Sequence, residues 1–247
     1  MPAIDLAGVD VILLDIEGTT TPVEFVYETL FPYARENLKS YLRANADDPE
    51  VREAISSLRE HREGQISSGK TVPAWIADTQ EAEIASAVGY ALWLMDQDSK
   101  IGPLKSLQGL IWQSSYRAGE LKGQVYADVP TAFDRWHRQA KKIAIYSSGS
   151  ELAQRLLFGA TQYGDLTHFI SAFFDTRVGR KADVDSYRGI ATILGASQDR
   201  FLFLSDVTAE LNAARSAGMR TALVVRKNAD PSAQEGHPVI HSFDELG

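Results

Sequence analysis

Asp15 and Glu17 stand two residues apart, directly after an apolar run and directly before Gly18. A glycine at that position lets the chain turn sharply, so both carboxylates can point into one pocket. One of them could then act as a nucleophile or metal ligand while the other acts as an acid and base. An acid-capped turn gives the same pattern, so this segment alone leaves both interpretations open.

Hydroxyl and ammonium groups that could hold an anion occur later in the chain. Ser147 and Ser148 follow a second apolar run and precede a predicted helix, where hydroxyls and free backbone N–H groups form an anion site. Lys181 lies in a loop before another predicted helix and could neutralise a bound anion. A serine N-cap and a solvated surface lysine are the ordinary alternatives for these residues.

A second pair of acids, Asp206 and Glu210, stands one helical turn apart after a further apolar run. An aspartate N-cap followed by an acid in the first helical turn accounts for this pair when it is considered alone. In one pocket with Asp15 and Glu17, however, these carboxylates would raise one another's pKa because like charges repel. A hard divalent cation with oxygen ligands removes that conflict, so we expect one Mg²⁺ per chain.

Five short apolar runs supply the strands that must position these residues. Runs of this composition suit strands buried on both faces of a parallel sheet. They are Val11–Leu14, Ile143–Tyr146, Phe173–Phe174, Phe201–Leu204 and Ala222–Val225. Helical patterns alternate with them from Asp128 onward, which predicts an α/β fold with a doubly wound, Rossmann-like and mainly parallel sheet. In such sheets the ligand lies outside the carboxyl ends of the strands, where the polar residues fall.

Residues 20–124 show a different pattern, because their apolar residues recur every three or four positions without a buried strand run. We predict a helical cap domain over 20–124, inserted after the first strand. The core domain would then consist of residues 1–19 and 125–247. Within the insertion, Gly64 to Thr71 matches the nucleotide-binding pattern G-x-x-x-x-G-K-[ST], but a charged helical run precedes it where that motif needs a buried strand. We interpret it as a loop of the cap.

The composition excludes several classes of function. The chain has 247 residues, with 25 Lys and Arg against 33 Asp and Glu, and it has no basic run that could hold a nucleic-acid backbone. It has no cysteine, which excludes disulfides, thiolate metal sites and cysteine nucleophiles. Its apolar stretches are too short to cross a bilayer. We expect a cytoplasmic protein, most simply a monomer, with neither nucleic acid nor a membrane as partner.

The order Asp15-x-Glu17-Gly18-Thr19, then Ser147, Lys181 and Ser205-Asp206, resembles the haloacid dehalogenase-like phosphohydrolases. Longer strings resemble the enolase-phosphatase family within that superfamily. They are Ile16 to Thr20, Phe31-Pro32-Tyr33-Ala34, Tyr146 to Ser150, and Leu156-Leu157-Phe158-Gly159. The likeness covers nearly the whole chain, including the insertion.

The resemblance implies a phosphatase that works through an aspartyl-phosphate. Asp15 would attack phosphorus, and Glu17 would protonate the leaving oxygen and then activate water. Ser147 and Ser148 would hold the phosphoryl oxygens, and Lys181 would neutralise the charge shared by phosphate and nucleophile. The superfamily usually has a second aspartate where this chain has Glu17, whose side chain is one methylene longer.

The resemblance also implies a cofactor and a substrate. It assigns Mg²⁺ to Asp15, the backbone carbonyl of Glu17, and Asp206, and it leaves the role of Glu210 open. The small-molecule phosphate ester would be 2,3-diketo-5-methylthiopentyl 1-phosphate, which is enolised and then dephosphorylated to the acireductone 1,2-dihydroxy-3-keto-5-methylthiopentene in methionine salvage. Another phosphatase or a phosphomutase of the superfamily is the alternative. A receiver-like phosphorylation switch is a further alternative, but the long insertion after Asp15 argues against it.

Overall fold

The computed structural model describes residues 4–226 and 236–247. It divides the chain into two compact units, of which one consists of Met1–Val26 with Lys122–Gly247 and the other of Tyr27–Leu121. We call these the sheet unit and the helical unit. The sequence pattern set the boundaries at 19/20 and 124/125, and the assignment of the units as core and cap stays a prediction.

The described residues of the sheet unit form a six-stranded sheet in which all pairings are parallel. Its strands are β1 Val11–Leu14, β2 Lys142–Tyr146, β3 Ile170–Phe174, β4 Phe201–Ser205, β5 Arg220–Val224 and β6 Val239–Ile240, and their order across the sheet is β3-β2-β1-β4-β5-β6. This confirms the predicted α/β class and parallel sheet. The strand β6 was not predicted, because two residues give no recognisable apolar run.

Helices cover both faces of this sheet, which explains why the strands are continuously apolar. They are α6 Asp128–Arg138, α7 Glu151–Gly159, α8 Val184–Leu194 and α9 Thr208–Ser216. On one face Val11 and Leu13 of β1 pack in a buried cluster with Tyr187 of α8 and Leu211 of α9. The opposite face is covered by aromatic side chains of α6 and α7 that pack against one another and against β3.

The helical unit consists mainly of four helices, α2 Phe31–Ala44, α3 Pro49–Ser67, α4 Gln80–Asp96 and α5 Gly102–Ala118. Each of α2 and α3 packs against both α4 and α5. Their buried residues recur every three or four positions, as Ala34, Leu38 and Leu42 do in α2, so the predicted helical periodicity is confirmed. The Gly64 to Thr71 pattern begins inside α3 and therefore follows a helix, not a strand.

Shorter elements complete the part of the chain that the structure describes. They are helix α1 Val23–Phe25, a π-helical turn Val26–Leu30, and 3₁₀ turns at Thr167–Phe169, Gln198–Arg200 and Phe243–Glu245. Among the described residues, no helix combines the length and the hydropathy that crossing a membrane requires.

Candidate functional site

Asp15 is the first residue after β1, between the ends of β2 and β4. Its backbone N–H donates to the carbonyl of Leu204 at 3.0 Å, which continues the β1–β4 pairing, and the residue is almost fully buried. Its Oδ1 accepts a hydrogen bond from the backbone N–H of Ile16 at 2.7 Å. The carboxylate is therefore held at the carboxyl edge of the sheet by the local backbone.

The loop that follows Asp15 closes tightly on itself. The carbonyl of Ile16 accepts the backbone N–H groups of Thr19, Thr20 and Thr21 at 3.2, 3.0 and 2.9 Å. The Thr20 hydroxyl also donates to the carbonyl of Asp15 at 3.2 Å. Glu17 lies in this loop, two residues beyond Asp15, and is half-buried. The loop thus carries both acids that the sequence singled out.

Lys181 bridges two carboxylates in the interior of the site. Its Nζ lies 2.6 Å from Oδ1 of Asp15 and 2.6 Å from Oε2 of Glu210, and the side chains of Lys181 and Asp15 are only 10% and 6% exposed. Burial alone would lower the pKa of Lys181, but the two carboxylates outweigh it and raise that pKa above its usual value. Lys181 is therefore a cation here, not a solvated surface lysine.

The loop that carries Lys181 is anchored by two buried tyrosines. The hydroxyl of Tyr187 donates to the carbonyl of Lys181 at 2.7 Å, and that of Tyr146 donates to the carbonyl of Gly179 at 2.9 Å. Gly179 has a φ of +136°, and a β-carbon there would collide with the Ser186 hydroxyl. Lys181 thus reaches Asp15 from a backbone whose position is fixed.

Glu210 lies in the first turn of α9 and faces Lys181. Its Oε2 also accepts a hydrogen bond from the Ser205 hydroxyl at 3.0 Å, and the same hydroxyl accepts from the backbone N–H of Val207 at 3.0 Å. Burial and the charge of Asp15 raise the pKa of Glu210, while Lys181 opposes that rise. The sequence grouped Glu210 with the other acids, but the contact with Lys181 carries no sequence signal.

Asp206 follows β4 and lies against Gly18 of the first loop. Gly18 has a φ of +70°, and a β-carbon there would collide with the carboxylate of Asp206. The Asp206 side chain keeps some contact with solvent. Partial burial and the charge of Asp15 nevertheless raise its pKa to about 7. Two acids from separate strand ends thus repel each other at this edge of the sheet.

The carboxylate oxygens of Asp15 and Asp206 fit a magnesium site in which the protein supplies only a few of the ligands. Among the described residues no group of three or more His, Cys, Asp or Glu side chains is arranged to hold a metal ion. Mg²⁺ does not require such a group, because it commonly binds to one or two carboxylates and keeps several waters beside a substrate phosphate. The mutual repulsion of Asp15 and Asp206 is the property that a bound cation would relieve.

Ser147 lies on the other side of Asp15, directly after β2. The register pairs Leu14 with Ile145, so the ends of β1 and β2 are adjacent. Ser147 is buried and its Oγ accepts the backbone N–H of Gly149 at 3.1 Å, whereas Ser148 is exposed. The structure therefore brings Ser147 to the same sheet edge as Asp15.

Two residues that the sequence analysis did not single out support this serine loop. The amide of Gln154 donates to the carbonyls of Gly149 and Phe174, each at 2.8 Å. The carboxylate of Asp175 accepts the backbone N–H of Glu151 at 3.3 Å, at the start of α7. Asp175 had a signal because it follows an apolar strand, whereas a glutamine within a helical pattern has none.

The described residues also line a shallow, open cavity of about 390 Å³ elsewhere on the sheet unit. Its lining includes Tyr126, Asp128, Arg226 and His241, and it contains none of the predicted site residues. The acids, Lys181 and Ser147 are grouped instead by the ends of β1, β2 and β4.

Comparisons with known proteins find relatives along nearly the whole chain. Residues 9–218 match the family model of the haloacid dehalogenase-like hydrolases. The chain is 45% identical to "Enolase-phosphatase E1" of Synechococcus elongatus over 97% of this chain and 98% of that protein. It is 44% identical to the protein of the same name from Drosophila willistoni, over 96% of each chain.

Solved structures give a consistent result. The UTR4 protein from Saccharomyces cerevisiae is 34% identical with a TM-score of 0.77, over 96% of this chain and 100% of that chain. CbbY from Rhodobacter sphaeroides in complex with phosphate is 18% identical with a TM-score of 0.55, over 97% of this chain and 96% of that chain. This second likeness concerns the fold alone.

Proposed function

The chain belongs to the enolase-phosphatase family of the haloacid dehalogenase-like hydrolases, and we propose that it converts 2,3-diketo-5-methylthiopentyl 1-phosphate to the acireductone and phosphate in methionine salvage. It is an enzyme of the phosphatase class. We further propose that it acts in the cytoplasm as a monomer, with the helical unit serving as the cap domain of the catalytic sheet unit.

The contact between Lys181 and Asp15 is the observation that carries this proposal. Both Lys181 Nζ and the backbone N–H of Ile16 bind Oδ1 of Asp15. Among the described residues none donates a hydrogen bond to Oδ2 of Asp15, so that oxygen keeps its lone pairs for attack on phosphorus. The cation beside Oδ1 stabilises the negative charge that the phosphoryl group brings to the site.

Once the diketone is enolised, phosphoryl transfer follows in two displacements. Oδ2 of Asp15 bonds to phosphorus as the bond from phosphorus to the leaving enol oxygen breaks, and the Glu17 carboxyl group gives its proton to that oxygen. The Glu17 carboxylate next takes a proton from a water molecule, which attacks phosphorus and releases phosphate and free Asp15. Dividing one hard displacement into two easier ones is the advantage of a covalent intermediate.

Ser147 and Ser148 are suited to hold the phosphoryl oxygens. Ser147 lies at the strand end next to that of Asp15, and the two serines precede the start of α7, where backbone N–H groups favour an anion. Holding the phosphoryl group in line with Asp15 and the leaving oxygen removes much of the entropic cost of the reaction.

Asp15, the backbone carbonyl of Glu17 and Asp206 would hold the Mg²⁺. The bound cation would neutralise phosphoryl charge and stabilise enolate charge as a Lewis acid. For its part, Gly18 leaves the space that the Asp206 carboxylate occupies, and its lack of a β-carbon is a condition for this ligand position.

The diketo-phosphate itself tests this function. With Mg²⁺ present, the protein should release inorganic phosphate and form the acireductone chromophore together. Phosphate release without the chromophore would indicate a different phosphatase of the same superfamily. Phosphate release that survives complete chelation of divalent cations would contradict the assignment of the metal. A panel of simple phosphate esters measures how strongly the diketo compound is preferred.

A further inference from the structure

Arg226, the second residue after β5, reaches the loop that carries the two acids. Its Nε donates to the backbone carbonyl of Thr19 at 2.9 Å, and its side chain is only 6% exposed. The backbone N–H of Tyr126 donates to the next carbonyl, that of Thr20, at 3.0 Å. The carbonyls of Thr19 and Thr20 are therefore held by two groups outside the loop, the side chain of Arg226 and the backbone of Tyr126.

The guanidinium of Arg226 is itself held rigidly. Its Nη1 lies 2.6 Å from Oδ2 of Asp128, a side chain only 10% exposed at the start of α6. Its Cζ lies 4.4 Å from the ring centroids of both Tyr126 and Phe243, which is the geometry of cation–π contacts. An arginine fixed at its acceptor and on two aromatic rings transmits that rigidity to the carbonyl of Thr19.

The contact between Arg226 and Thr19 differs from ordinary core stabilisation in the part of the loop that it holds. Three internal backbone hydrogen bonds of the loop converge on the carbonyl of Ile16 and another joins the N–H of Gly18 to the carbonyl of Thr21, whereas the carbonyl of Thr19 is bound by Arg226. A buried ion pair such as Arg226 with Asp128 is often no more stabilising than apolar residues of similar volume. In addition, Nη2 of Arg226 is buried with no partner among the described residues, which itself costs stability.

We propose that Arg226 is a positioning residue for the reaction. By holding the carbonyl of Thr19 it fixes the loop on which Glu17 and Gly18 lie, and so it sets the distance and direction between Asp15, Glu17 and the phosphoryl group. The proposal deepens the proposed function and rests on it for its kinetic consequence. Its structural consequence, the order of the loop, can be measured without any substrate.

The test compares Arg226→Met with Arg135→Met. Arg135 is a matched control because its Nη2 donates to the carbonyls of Phe243 and Leu246, so it ties the same C-terminal segment to α6 without reaching Thr19. Amide hydrogen exchange of the peptide covering residues 16–21 and the kcat and KM for the diketo-phosphate are measured on both variants and on the unaltered protein.

Arg226→Met should accelerate amide exchange in that peptide and lower kcat by about 100-fold, because misplacing reacting groups by about 1 Å has effects of this size. KM should change by no more than about threefold, since the groups that bind the substrate are untouched. Arg135→Met should leave both the loop exchange and kcat near those of the unaltered protein. Equal exchange in Arg226→Met and the unaltered protein, or equal losses of kcat in the two variants, would overturn the proposal.

Arg226→Lys keeps the test decisive if Arg226→Met does not fold. The single ammonium of a lysine cannot bind Asp128 and Thr19 together as the arginine guanidinium does. The amide exchange of the loop and the kcat of Arg226→Lys should therefore lie between the values of the unaltered protein and those expected for Arg226→Met. Unchanged values for both would contradict the proposal. If the unaltered protein fails to turn over the diketo-phosphate, the proposed function is wrong, whereas the hydrogen exchange still decides whether Arg226 orders the loop.

Discussion

The ammonium of Lys181 lies 2.6 Å from Oδ1 of Asp15, and both side chains are almost enclosed. The same ammonium lies 2.6 Å from Glu210, so one cation pairs with two carboxylates, one after β1 and one in the first turn of α9. This network explains how acids can crowd one edge of the sheet in a folded protein.

Asp15→Asn should abolish turnover while leaving the fold intact. The amide keeps the size of the carboxylate but is not a nucleophile, so kcat should fall by about 1,000-fold or more. Asp10→Asn is the matched control, because Asp10 is an acid of the same unit whose exposed side chain pairs with Arg200. The measurements are steady-state phosphate release and the thermal midpoint. Turnover of Asp15→Asn within tenfold of the unaltered protein would refute the covalent step.

Lys181→Met should destabilise the protein, because it leaves Asp15 and Glu210 enclosed without their cation. Breaking a buried ion pair from one side costs about 3–5 kcal/mol of unfolding free energy. The double variant Lys181→Met with Glu210→Gln should recover part of that loss, since one of the two stranded charges is gone. Urea unfolding in the presence of a chelator measures both. A double variant that is less stable than the single one would contradict the network.

Gly18→Ala should weaken Mg²⁺ binding through its collision with the carboxylate of Asp206. Gly164 provides the control, because its φ of +91° is also left-handed but a β-carbon there meets no atom within 4 Å. Both alanine variants should lose about 1–2 kcal/mol from backbone strain. Only Gly18→Ala should lose Mg²⁺ affinity in a calorimetric titration. Equal affinities in the two variants would show that Asp206 is not held at Gly18.

Gln154→Leu should weaken phosphate binding. The substitution removes both hydrogen bonds to the carbonyls of Gly149 and Phe174. The Phe174 carbonyl keeps the backbone N–H of Ser147 at 3.1 Å, but the Gly149 carbonyl loses the side chain that holds it, at a cost of about 1 kcal/mol, which loosens the serine loop. Inhibition by inorganic phosphate measures the effect and should weaken. Gln162→Leu is the control, because Gln162 also bridges backbone groups of the same unit but does so at Val125. If the inhibition constants of the two variants matched, Gln154 would have no special role at the serine loop.

The parallel sheet was predictable because its strands are buried on both faces and therefore appear as uninterrupted apolar runs, as Val11–Leu14 does. The runs also located Asp15, Ser147 and Asp206, since the first one or two polar residues after each run fall at the carboxyl edge of the sheet. What the pattern predicts is thus the list of strand ends, and with it a large part of the candidate site.

Contacts between loops that are far apart in the sequence produce no such pattern. Arg226 and Thr19 are 207 positions apart, and their hydrogen bond depends on how β5 and the first loop meet after folding. Glu210 was visible as an acid, but its place against Lys181 depends on the loop that the two buried tyrosines anchor. Side chains that support the site from behind are chosen by three-dimensional packing, which single-residue spacing does not encode.

Arg177→Met should change how the stability of the protein depends on pH. Burial tends to raise the pKa of Asp175, but hydrogen bonds from the side chain and backbone of Arg177 and from the backbone of Glu151 outweigh it and hold that pKa below its usual 3.8. A carboxyl group whose pKa is depressed by folding contributes stability above its unfolded pKa and loses it as the pH falls through the folded value.

The advantage of the unaltered protein over Arg177→Met should therefore be constant near neutral pH and should shrink as the pH falls below about 4, where Asp175 takes up its proton. Urea unfolding of both proteins between neutral and acidic pH measures the difference. Arg188→Met is the control, because Arg188 pairs with the exposed Asp185 and should matter little at any pH. An advantage that grows as the pH falls would show that burial, rather than Arg177, controls the ionisation of Asp175 and hence the start of α7.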